Sequence, residues 1–86
     1  MMDMQDAEAL ASELTLSRKL LGNEHPTSLA TARKLAAVYA MLGMYLQAEE
    51  VELSVLGSQK RLYGEAHDST LDTNVRLTRL YLTQVH

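Results

Sequence analysis

The stretch LLGNEHPTSL, Leu20 to Leu29, returns in altered form as LYGEAHDSTL, Leu62 to Leu71. Gly22 and Gly64, His25 and His67, and Leu29 and Leu71 keep their places, each pair 42 residues apart. The register continues on both sides, because Leu14 and Leu56, Leu20 and Leu62, Leu35 and Leu77, and Tyr39 and Tyr81 show the same separation. An internal period of this size marks a supersecondary unit that cannot bury its apolar face alone and stacks on copies of itself.

Outside the repeated loop, apolar residues step at helical intervals. Leu29, Ala32, Leu35, Ala36, Tyr39 and Leu42 advance by threes and fours and share one face of a helix that Gly43 closes. Ala48, Val51, Val55 and Leu62 repeat the step, with Leu53, Leu56 and Tyr63 on the flanks, and stop at Gly64. Pro26 keeps the residue before it extended, and Thr27 and Ser28 then offer hydroxyl caps; His67, Asp68, Ser69 and Thr70 stand in the same place without a proline. The spacing predicts helices over 5–21, 27–42, 45–63 and 69–84. Aligned at the period, they read as the second helix of a partial unit, a complete antiparallel pair over 27–63, and the first helix of a following unit. All four fall within one domain, 1–86.

Composition narrows the function. The 86 residues contain no cysteine, so the chain has no disulfide, no thiolate zinc site and no thiol nucleophile, and a reducing, cytoplasmic setting is expected. A formal charge of −3 gives no general attraction to nucleic acid or an anionic membrane surface. No apolar run approaches a membrane span, and the opening MMDMQDAEAL is acidic where a signal peptide is basic. Phosphate-binding glycine loops, nucleophile elbows and HExxH are absent, Ser54 and Ser58 have no histidine base on their face, and no cofactor is implied. The expectation is therefore a chain that is not an enzyme.

The pattern Leu35-Ala36-x-x-Tyr39-x-x-x-Gly43-x-Tyr45-x-x-Ala48-Glu49 resembles a tetratricopeptide repeat, and the long loop Leu21 to Thr27 resembles the 42-residue variety found in kinesin light chain. Ala48-Glu49-Glu50-Val51-Glu52-Leu53 is similar to a helix in repeats carried by fungal NB-ARC or NACHT-type signalling ATPases. The resemblance implies an all-α fold, an α-solenoid of antiparallel helix pairs with about four helices here. It further implies that the first helix of each unit lines a concave groove that binds a peptide or protein segment. Where kinesin-light-chain repeats carry an asparagine pair on that helix, this chain has Arg33-Lys34 and Val75-Arg76, and Glu52 stands where the second helix often has an aromatic residue.

At about 100° per residue the flank beside the apolar stripe carries Ala30, Lys34, Ala37 and Met41 in one unit and Asp72, Arg76, Arg79 and Thr83 in the next. Lys34, Met41, Asp72, Arg76 and Arg79 are thus the candidate ligand-binding residues, and the cations suit an acidic partner segment because arginine offers forked donors to carboxylate. His25 beside Glu24, and His67 between Glu65 and Asp68, suggest a metal site only weakly, since they belong to different repeats; a ring bonding backbone at a helix start is the simpler expectation. His86 is terminal and expected to carry no fixed structure. Gly57, inside a predicted helix, is expected to mark a close approach by a neighbour. Leu71, Val75 and Leu82 lie on a flank of the last helix that no later segment covers. They are the candidate surface for self-association into a homo-oligomer.

Overall fold

A computed structural model of the chain describes residues 1–85, and His86 lies outside them. It contains four α-helices: α1 (Met4–Leu21), α2 (Pro26–Met41), α3 (Tyr45–Tyr63) and α4 (Asp68–Gln84), with no strand among the described residues. Each boundary falls within one residue of the spacing's prediction. The helices pack in chain order, α1 on α2, α2 on α3 and α3 on α4, in a slab 31 × 30 × 17 Å. Among the described residues no helix is long and apolar enough to cross a membrane.

Local chemistry sets the ends. Asp3 caps α1 by accepting from the backbone of Gln5 at 2.9 Å and Asp6 at 3.1 Å, while the Asp6 carboxylate accepts from Asp3 N–H at 2.8 Å, a reciprocal capping box. The caps of α2 and α4 differ from the hydroxyl caps expected. The ring of His25 accepts through Nδ1 from Thr27 N–H at 3.1 Å, and His67 does the same for Ser69 at 3.1 Å. Ser28 and Thr70 sit one turn in, buried, with hydroxyls bonded to no protein group. The imidazole reaches the second N–H of its helix, which a hydroxyl at the third helical position cannot do.

Gly22 and Gly64 end α1 and α3 at φ 96°, ψ 158° and φ 88°, ψ 165°. This region of backbone space is almost reserved for glycine. The repeated glycine therefore reflects the turn that takes the chain from one helix to the next. After α2, Gly43 N–H donates to Ala40 and Met44 N–H to Tyr39, at 3.1 and 2.8 Å, the two bonds of a Schellman ending.

The apolar core lies among α1, α2 and α3: Ala7, Leu14, Leu29, Ala32, Leu35, Val38 and Val55, with Tyr39, Leu42 and Val51 packed at its edge. Leu62 departs from the expected stripe: it is exposed, and the buried face of α3 ends at Gln59. Gly57 also departs from expectation. A methyl group there would meet only the Arg61 guanidinium at an ordinary 3.6 Å, so no close approach requires glycine.

The period allows α2 and α4 to be compared position by position. Both bury one face against the preceding helix: Ser28 and Thr70, Thr31 and Thr73, Leu35 and Leu77, Val38 and Leu80. Leu29, Ala32 and Ala36 are buried on α2 alone; their counterparts Leu71, Asn74 and Thr78 are exposed. The difference follows the packing: α3 covers this face of α2, and among the described residues no helix covers the same face of α4.

Candidate functional site

The seam between α3 and α4 is polar, unlike the core beside it. Ala48, Glu52, Val55 and Gln59 lie three and four residues apart, so the carboxylate of Glu52 belongs to the buried stripe of α3 and is only 3% exposed. Burying an ionised carboxylate is unfavourable unless it is paired and hydrogen-bonded. Arg76 on α4 supplies the partner: its Nε donates to Glu52 Oε2 at 2.6 Å. Arg76 also pairs with Asp72 one turn back and donates through Nη2 to Thr73 Oγ1 at 3.0 Å, and that hydroxyl donates to Gln59 Oε1 at 2.6 Å. The cross-links from α4 to α3, Thr73 to Gln59, Arg76 to Glu52 and Gln84 to Glu49, descend along α3 as they ascend along α4, so the two helices are antiparallel.

Burial, the largest single influence on Arg76, would lower its pKa; the hydrogen bond and charge of Glu52, with Asp72 behind them, outweigh it and leave the guanidinium raised. A cation with a raised folded-state pKa contributes stability at all pH below its unfolded value, and loses it as pH rises through the folded value. For an arginine that loss lies far into alkali.

On the α2 side of this network a cavity of about 290 Å³ opens between α2, α3 and α4. Its floor includes the small side chains Ala36, Ala37 and Ala40; Arg33, Arg76 and Arg79 stand around it. Lys34 joins Arg33 and Arg76 in an adjoining cleft that shares Ala37. Arg33 reaches across from α2 to Asp72 at 3.3 Å, so Asp72 sits between two guanidinium groups.

The five candidate ligand-binding residues are therefore distributed as follows. Lys34, Arg76 and Arg79 line connected clefts on one face. Asp72 neutralises the arginines beside it, and Met41 lies farther along α2, in a separate cavity shared with Lys34 and α1. Among the described residues neither Lys34 nor Arg79 is bonded to a carboxylate, which leaves these two cations available to a guest.

Sequence reasoning missed Arg33 and gave Glu52 no site role. A signal existed for Glu52, a carboxylate at a buried helical position that requires a partner. For Arg33 the signal was its place beside Lys34, where the resemblance puts an asparagine pair on the groove-lining helix, though an exposed arginine between apolar positions by itself reads as solvated surface.

His25 and His67 are engaged at the helix starts, with the ring of His67 also stacked on Tyr63, centroids 4.6 Å apart. The three flank residues of α4 are open to solvent: Leu71 at 48%, Val75 at 49% and Leu82 at 67% exposure. Compared with known proteins, the chain matches no family model and no curated protein.

Proposed function

We propose that the chain is a non-catalytic protein-interaction module, a tetratricopeptide-like solenoid segment that serves a larger cytoplasmic signalling protein by receiving an acidic segment of a partner. One observation carries the reading: the cavity among α2, α3 and α4 combines a floor of alanines with Arg33, Arg76 and Arg79 around it. Short side chains leave room for a guest's side chains, and guanidinium groups orient carboxylates by paired donors. The repeat of 42 residues and the helix-by-helix packing support the solenoid reading. An array of acidic and neutral peptides tests the proposal. Acidic peptides are expected to bind the native chain and to weaken about tenfold, roughly one lost charge-assisted contact, against Arg79→Glu. Equal binding by native and R79E protein, or no acidic peptide bound at all, would overturn it.

A second reading is self-assembly, favoured by the exposure of Leu71, Val75 and Leu82 on one flank of α4. Light scattering across a concentration series tests it, and a chain that stays monomeric throughout would remove it.

A further inference from the structure

We infer that copies of this chain associate head to tail, α4 of one packing on α1 of the next as α2 packs on α3 within the chain. This rests on the self-assembly reading above and adds its geometry.

Two cavities of the molecule are the same cavity at different stages of completion. The one among α2, α3 and α4 is lined on α4 by Arg76, Arg79, Leu80 and Thr83. A second, of about 460 Å³ between α1 and α2, is lined on α2 by Lys34, Ala37, Val38 and Met41. Each of these four stands 42 residues before its counterpart in the first set. The first cavity has a further wall, Arg33, Ala36, Ala37 and Ala40 of α2, which stands beside α3. The second has α1, α2 and Met2, just ahead of α1, around it, and no third helix.

The period specifies the wall that would complete it. Forty-two residues beyond Arg33, Ala36, Ala37 and Ala40 come Val75, Thr78, Arg79 and Leu82, all on α4 and all exposed. They cannot serve their own chain, because no packed interface joins α4 to α1. They can serve the next copy.

Charge agrees with the placement. The open cavity presents Asp6 and Glu13 on α1, where α3 has the neutral, buried Ala48 and Val55. The wall that would close it brings Arg79. Broad pairing of α4 with α4 has no counterpart within the chain, where α2 and α4 are each packed on α3 and meet one another through side chains such as Arg33 and Asp72. The contact is therefore between two different surfaces. An association of that kind continues from copy to copy unless its rotation closes a ring.

The test uses two variants at exposed positions, Leu82→Glu on the α4 face and Ala9→Glu on the α1 face, both adding negative charge so that neither compensates the other. Circular dichroism first confirms that each keeps its helix content. By sedimentation or light scattering, native protein is expected to grow past two chains as concentration rises, and each variant alone to lose association at least tenfold. An equimolar mixture of the two variants is expected to form a 1:1 dimer and stop there, since only one native junction can be assembled. If A9E protein still dimerises alone and the mixture gives nothing new, α4 pairs with itself: self-assembly stands and the head-to-tail geometry falls. A native chain that is monomeric at every concentration overturns both.

Discussion

At the scale of single residues, the two members of the Glu52–Arg76 pair are not equivalent. Arg76 keeps 28% of its side chain in solvent and has Asp72 as a second partner, whereas Glu52 is enclosed. Removing the arginine strands a buried carboxylate, and Arg76→Leu should cost about 3–5 kcal/mol by urea melts. Glu52→Leu should cost far less, because the arginine can turn toward Asp72 and water, and the double variant E52L/R76L should recover most of the loss. Equal costs for the two single changes would contradict this asymmetry. Gly57 points the other way. With open space for a methyl group inside α3, Gly57→Ala should raise stability by about 0.5–1 kcal/mol and raise the melting temperature.

At the scale of helices, the repeated loop combines a glycine that only glycine can replace with a ring that caps. Gly64→Ala meets no clash, so its effect should be pure backbone strain, about 1–3 kcal/mol, measurable as a lowered denaturation midpoint. The caps are side-chain specific as well: the ring of His25 accepts from Thr27 N–H and that of His67 from Ser69 N–H. Replacing His25 and His67 by asparagine, whose side chain also caps, should leave stability little changed, whereas alanine should cost about 1 kcal/mol at each place. Thermal melts of the native, asparagine and alanine proteins supply the check.

The helices themselves were legible in the sequence because what sets them is local. Leu29 to Leu42 carry a helical period, and Gly22, Gly43 and Gly64 punctuate it. The histidine caps were legible as backbone bonds near a helix start, yet the hydroxyls of Ser28 and Thr70 competed for that role, and only the placement of the first turn decides between them. The polar seam was not legible. Glu52 and Arg76 are 24 residues apart, and nothing in either local pattern says which face of α4 meets which face of α3.

For the whole molecule, packing in chain order gives α2 and α3 two broad helix interfaces each and α1 and α4 one, beyond side-chain links such as Arg18–Ser54 and Arg33–Asp72. Opening free energy should follow that difference. Amide exchange is expected to be slowest in the middle of α2 and α3 and at least tenfold faster in α1 and α4, a gap of about 1.4 kcal/mol. Uniform protection across all four helices would show one cooperative block instead.

The same arrangement shapes how the chain would answer to tension. A protein whose first and last elements lie side by side must shear a broad contact before either end comes free. Here α1 and α4 share no such contact, and three short links join the helices in sequence. Drawn out by its ends, the chain would unspool a helix at a time at low force, lengthening by many small increments where a knit core would snap.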